Sequence, residues 1–240
     1  MLVLDQEGTG KSTPISAITE TFAIHKSDHL LAKGATTGIA AADIGGQTFH
    51  SWAALTIARK QDGGDDWISR ANPESKSKRQ KNIGGKRFLI VDEVSMADKY
   101  AVHATSKIIV KTKGEEGTGT ADEPFAGMNV ICIGDFHQFP AVRNMKGALY
   151  LDAPTTDSSE ALLGREIFKQ FDTVIILRKQ NRIHDEVWTR ILGRLRVGEC
   201  NVNDINEINK LVLTHNECDR LDFNSPLWCN AMLVTPRHSV

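Results

Sequence analysis

No stretch of this chain approaches the roughly 18 consecutive apolar residues of a membrane span, and the opening MLVL is too short for the core of a signal peptide. We therefore expect neither a membrane partner nor a secretory leader. Cysteine is scarce: Cys132, Cys200, Cys218 and Cys229 have no short paired spacing of the kind zinc sites use, and four are few for a disulfide framework. That usage points to a reducing, intracellular compartment. Charge of one sign is also missing, since 29 Lys and Arg face 30 Asp and Glu. Without a global positive field, any nucleic acid must be held in a local groove.

Low-complexity sequence is absent too, and 40% hydrophobic with 25% charged residues excludes a disordered or fibrous chain. With 240 residues the chain has room for one large or two small domains. Because MLVL reads as a buried strand from the first residue, further chain is expected upstream.

Short Val-, Ile- and Leu-rich runs alternate with segments of helical period, the pattern of an α/β domain with a mostly parallel sheet. Strands are expected at Met1–Leu4, His29–Ala32, Phe88–Val91, Val130–Ile133, Thr173–Leu177 and Ala231–Thr235. Three apolar stripes, Ile15/Ile18/Phe22, Trp188/Ile191/Leu195 and Ile205/Ile208/Leu211, should be core-facing sides of helices. The polar, glycine-broken stretches 58–87 and 111–124 read as surface insertions. The basic cluster Lys76, Lys78, Arg79, Lys81, Lys86 and Arg87 is read as a solvated face, with phosphate contact as the alternative.

Three segments carry chemistry. The first, MLVLDQEGTGKST, runs from a strand through a tight loop into a helix, which turns backbone N–H groups and a helix N-terminus toward polyphosphate. Gly8 and Gly10 let the backbone come close, Lys11 can reach the outer phosphates, and Ser12 can offer its hydroxyl to Mg²⁺; Thr9 and Thr13 complete the nucleotide-binding set. The second, FLIVDEVSM, ends an apolar strand in Asp92 and Glu93, one acid for the metal shell and one to activate water. The third, VICIGDFHQFPAV, leads into a polar turn with Gln138, a residue type able to sense a terminal phosphate. Each string alone also occurs as an ordinary turn. Their combination is what points to nucleotide hydrolysis.

GTGKS, TTGIAAADIGGQTFHSW, FLIVDEVSM, PFAGMNVICIGDFHQFPAV and LRKQNRIHDEVWTRILGRLRVGEC resemble, in order and spacing, the petite-integration-frequency (Pif) family of DNA helicases. The resemblance implies a RecA-like motor domain over residues 1–180 and an incomplete second motor domain over 181–240. It implies ATP and Mg²⁺ as ligands and single-stranded DNA as partner, with 5′-to-3′ movement. It carries Glu93, Gln138 and Arg182 over as catalytic residues, Arg182 being the arginine that reaches across from the second motor domain. Ser12 and Asp92 become the metal-shell pair, and Thr37, Gly38, His50 and Ser51 the DNA-contacting residues. Repair, recombination and telomere maintenance are the implied settings, in the nucleus first and the mitochondrion second. No stable protein partner is implied. Similar sequences occur in Helitron transposons, so a truncated, non-catalytic remnant is the alternative. Among the aromatics, Phe49, Trp52 and Phe136 are read as core with base stacking as the alternative, and His50 by itself as a buried structural residue.

The chain departs from the family pattern at the loop, where Asp5 and Glu7 replace a glycine and a small residue. An aspartate forced to positive φ costs roughly 1 kcal/mol. A glutamate facing the nucleotide at about 5 Å costs roughly 3 kcal/mol. Pro14 falls in a first helical turn, where its missing N–H does little harm. The expectation for the structure is that Lys11, Asp92, Glu93 and Gln138 converge on one cleft, with Arg182 on its other side.

Overall fold

The computed structural model describes residues 1–5, 8–55, 72–141, 145–152, 157–216, 218, 222–226, 228–232 and 234. Residues 58–71 of the first predicted insertion lie outside them. Two compact units divide between His184 and Asp185.

The first unit is built on a six-stranded, wholly parallel sheet: β1 (Leu2–Asp5), β2 (Leu31–Ala35), β3 (Gln47–Thr48), β4 (Phe88–Asp92), β5 (Asn129–Gly134) and β6 (Val174–Leu177), in the order β3-β2-β4-β5-β1-β6. Parallel strands need crossovers, and those between the described elements carry α1 (Ser12–Ile24), α2 (Gly38–Asp43), α3 (Phe49–Trp52), α4 (Pro73–Ile83), α5 (Lys99–Glu116) and α6 (Ser159–Lys169). This is the expected α/β, RecA-like arrangement.

Side chains alternate across each strand, so one sheet faces two cores. Leu2, Leu89, Val91, Val130 and Cys132 pack with Val102, Ile108 and Ile109 of α5 on one face. Val3, Ile90 and Ile133 pack with Ile15 of α1 and Ala41 of α2 on the other. Leu89, Ile90 and Ile133 are fully buried, each contributing about 1.5–3 kcal/mol. Burial pushes the Cys132 thiol up to about 12, so it acts as a small apolar residue rather than a nucleophile.

Several expectations need correction. The segment His29–Leu30 is a 3₁₀ turn, and the strand instead runs on through Lys33 and Gly34 to Ala35, where pairing with β4 holds it extended. Strand β3 has two residues, too few for a period to show. The segment 111–124 is only partly a loop, because α5 continues to Glu116 before Gly117 closes it at φ 68°. Phe49 and Trp52 are core residues, whereas His50 is exposed. Phe136 is half-buried in an aromatic cluster with Tyr150 and Phe168, at centroid distances of 5.7 and 6.0 Å.

At the start of α5, Lys99 is completely buried and its Nζ donates to Asp157 Oδ2 at 2.6 Å, tying the segment before α6 to α5. Removing one partner leaves the other charge buried and uncompensated. Asp157→Ala should therefore cost about 3–5 kcal/mol in urea unfolding, while the double change Lys99→Met/Asp157→Leu should be near neutral.

The second unit holds α7 (Glu186–Val197) and α8 (Val202–Asn209). Asp185 caps α7, and Arg194 clasps Asp204 of α8 through two bonds of 2.6 and 2.5 Å. Ile191 is buried, but Leu195, Ile205 and Leu211 are exposed, so the two stripes predicted here are not uniformly core. α8 ends before Leu211, and no strand is found among the described residues of this unit for such a stripe to cover. Ala231, Met232 and Val234 are likewise not in a strand, contrary to expectation.

Candidate active site at the carboxyl edge of the sheet

Because every described strand pair is parallel, the loops leaving β1, β2, β4, β5 and β6 emerge on one edge, where open parallel sheets usually bind ligands. These loops carry, in turn, the GTGKS, TTG, DEV, GDFHQ and QNR segments.

The GTGKS loop takes its shape from Gly8 at φ 85° and Gly10 at φ 90°, conformations that cost other residues energy. A Cβ on Gly8 would also collide with the Gln180 carboxamide. No side chain caps α1, which begins at Ser12; Pro14 sits within its first turn, as anticipated. Asp5 is the last residue of β1 and has no positive φ, so the backbone strain considered for it does not arise. Glu7 lies outside the described residues.

Lys11 Nζ lies 3.1 Å from Glu93 Oε1 and 3.8 Å from Asp5 Oδ1. Burial alone would lower the Lys11 pKa, but Glu93 and then Asp5 more than offset it and hold the ammonium above its ordinary value. Asp5 is 4% exposed and accepts from Thr9 Oγ1 at 3.3 Å. Burial raises its pKa to about 6, opposed by Lys11 and reinforced by Asp135. Asp92 is also raised, chiefly by burial. Lys11 is thus flanked by acids, and a triphosphate entering here meets repulsion unless a divalent cation accompanies it.

Glu93 is the sharpest local feature. Its backbone is left-handed, φ 53° and ψ 43°, an unusual state for glutamate. Three contacts hold that turn: Glu93 N–H donates to Asp92 Oδ1 at 2.9 Å, Thr36 Oγ1 donates to the Glu93 carbonyl at 3.0 Å, and Thr36 N–H donates to the Asp92 carbonyl at 3.3 Å. From the β5 side, Gly134 lies so close that a Cβ there would sit 3.0 Å from Val94 N.

Gln138 sits half-buried on the β5 loop, its N–H donating to the Asp135 carbonyl at 3.0 Å. Asp135 is buried and accepts from His137 N–H at 2.9 Å. Arg182 belongs to the first unit, not the second. Its loop lies over the GTGKS segment: Asn181 N–H donates to the Gly8 carbonyl at 2.9 Å, Asn181 Nδ2 to the Thr9 carbonyl at 3.4 Å, and Arg182 N–H to Gln180 Oε1 at 2.8 Å.

Thr37 caps α2, its hydroxyl accepting from Ala40 N–H at 3.3 Å, and Gly38 is exposed. Pairing of Ala35 with Thr48 makes the TTG and FHS segments leave the sheet side by side. Ser51 Oγ accepts from Lys78 Nζ at 3.2 Å, so one lysine of the basic cluster stands beside this strip. Arg79 instead turns inward, 4% exposed, and bonds the Ala54 carbonyl at 3.1 Å. Sequence reasoning gave no site role to Thr36, Gln180 or Asn181, although all three lie inside the recognised segments TTGIAA and LRKQNRIHD; Asp135 and Lys78 were noted only as parts of a polar turn and a basic cluster.

The acids fit a magnesium site better than a metal cage. Among the described residues no group of three or more His, Cys, Asp or Glu is placed to enclose an ion. Magnesium commonly takes one or two protein oxygens and completes its shell with phosphate and water. Asp92 and Ser12 are suited to that role.

The pH dependence of stability follows from Asp5. Its folded pKa lies above the unfolded value of 3.8, so the folded state binds the extra proton between pH 4 and 6 and stability falls as pH rises through that window. The ceiling is about 3 kcal/mol. Asp5→Asn should flatten this drop in melts taken from pH 4 to 8.

Known proteins place this arrangement. The chain is 30% identical to the ATP-dependent DNA helicase PIF1 of Saccharomyces cerevisiae over 207 residues, 85% of this chain and 22% of the relative. It is 27% identical to the ATP-dependent DNA helicase RRM3 of the same yeast, again over 85% of this chain and 26% of the relative. The chain thus spans about a quarter of these curated relatives. The crystal structure of Pif1 helicase from Candida albicans superposes with a TM-score of 0.65 at 25% identity, over 88% of this chain and 43% of that one. Pif1 helicase from Bacteroides in complex with ADP-AlF3 and ssDNA gives 0.64 at 21% identity, over 94% and 47%. The model of the PIF1-like helicase family matches residues 1–199, and with the edge geometry above this establishes that the chain belongs to the PIF1-like helicase family.

Proposed function

We propose that this chain is the nucleotide-hydrolysing part of an ATP-dependent DNA helicase that moves 5′ to 3′ on single-stranded DNA. The observation that carries the reading is the approach of Lys11 to Glu93 at 3.1 Å across loops from β1 and β4, a phosphate-gripping cation beside a candidate base. ATP would lie along the GTGKS loop, with Lys11 on its outer phosphates. Mg²⁺, held by Ser12 and Asp92, would neutralise charge on the transferring phosphoryl group. Glu93 would take the proton of the attacking water, Gln138 would orient that water, and Arg182 would stabilise developing charge. Thr37, Gly38, His50 and Ser51 would touch the DNA backbone, contacts that position the strand without reading its sequence. The resemblance implies the start of a second motor domain at residues 181–240; the second compact unit begins at Asp185, so Arg182 would act from the first. The family resemblance supports a setting in repair, recombination and telomere maintenance, in the nucleus and secondarily the mitochondrion.

A second reading is favoured by Asp5, which competes with phosphate for Lys11 at 3.8 Å. In it the chain is a remnant that binds weakly and does not turn over. Calorimetry with Mg²⁺-ATP, followed by phosphate release with and without oligothymidylate, separates the two. Micromolar binding with DNA-stimulated release supports the motor. Binding restored only by Asp5→Gly with Glu7→Ala supports the remnant.

A further inference from the structure

The backbone of Glu93 is held in a left-handed turn that glutamate does not favour, and the holding group on one side comes from the neighbouring β2 loop. Thr36 reaches it twice, through its hydroxyl to the Glu93 carbonyl at 3.0 Å and through its N–H to the Asp92 carbonyl at 3.3 Å. The next residues, Thr37 and Gly38, are the half-buried and exposed start of the strip assigned to DNA. No other residue intervenes between that strip and the peptide that aims the candidate base.

We propose that Thr36 is a positioning residue that couples single-stranded DNA at Thr37–Gly38 to the orientation of Glu93, so that DNA binding raises the hydrolysis rate through this hydrogen bond. The proposal rests on the helicase reading above. A strand drawn against Thr37 and Gly38 shifts or stiffens the β2 loop by fractions of an ångström. The Thr36 hydroxyl passes that displacement to the Glu93 carbonyl, and because Gly134 packs closely against Val94 just beyond the turn, leaving little room for the loop to translate, the displacement rotates the carboxylate. Thr36 touches neither phosphate nor water in this scheme and acts only through Glu93.

The test compares the unaltered chain with Thr36→Val, which keeps the shape and removes the donor, and Thr36→Ser, which keeps the donor. The readouts are the ratio of kcat with oligothymidylate to kcat without it, the oligothymidylate Kd by fluorescence anisotropy, and the Glu93 amide resonance during DNA titration. For Thr36→Val the ratio should fall about tenfold with Kd within twofold, and Thr36→Ser should restore it to within threefold. The Glu93 amide should move with DNA in the unaltered chain and stay still in Thr36→Val, a readout that needs no turnover. An unchanged ratio, a parallel loss of DNA affinity, or failure of Thr36→Ser to rescue overturns the coupling. If the unaltered chain neither binds oligothymidylate nor is stimulated by it, the helicase reading itself fails and the coupling falls with it.

Discussion

Glu93→Gln is expected to lower the rate of ATP hydrolysis about a thousandfold while leaving nucleotide affinity intact or improved. The rate loss follows from removing a general base, an effect that typically spans 10²–10⁴. The affinity half of the prediction comes from the geometry. Glu93 holds Lys11 in an ion pair of 3.1 Å, and a phosphate must displace it before the ammonium can serve the ligand. A neutral glutamine keeps the side chain's shape and the left-handed turn but releases Lys11 from that competition. Single-turnover rates and calorimetric Kd values, measured on the same preparation, check both halves. A fall in affinity matching the fall in rate would show that Glu93 supports the loop rather than the chemistry.

Lys11→Ala should weaken Mg²⁺-ATP binding by a hundredfold or more. A cation about 4 Å from a phosphate charge is worth up to roughly 4 kcal/mol at an effective dielectric near 20, and each 1.4 kcal/mol is tenfold in Kd. The same change has a second consequence inside the fold. Lys11 opposes the burial-driven rise of Asp5 more strongly than the Thr9 hydroxyl does, so its removal should move the Asp5 titration above about 6. NMR titration of the Asp5 carboxyl carbon would read this directly. A loss of binding with the Asp5 titration unmoved would mean that the two groups do not share one site in solution.

The fold and the site were legible in the sequence to different depths. Buried parallel strands announce themselves as short apolar runs, so five of the six expected segments overlap the strands β1, β2, β4, β5 and β6, with ends displaced by at most three residues. Strand β3 was not legible, because two residues paired to Gly34 and Ala35 exist only through that pairing. The phosphate loop and the DEV and GDFHQ turns were legible because their residue types are rare in combination. Ile205 and Leu211 show the limit of periodicity: a stripe says which side of a helix is apolar, not whether anything covers it.

The amino-acid sequence by itself determined the α/β class and the family and named candidate residues for phosphate, metal and proton, because these depend on side-chain chemistry and local spacing. Only the tertiary structure decided which of those groups meet. It set Asp5 against Lys11 and Thr9, placed Gln180 and Asn181 on the phosphate loop, and tied Thr36 to Glu93. The reason is geometric: a parallel sheet delivers loops from strands far apart in the chain to one edge, and contacts across such distances follow from strand order, which no local pattern records.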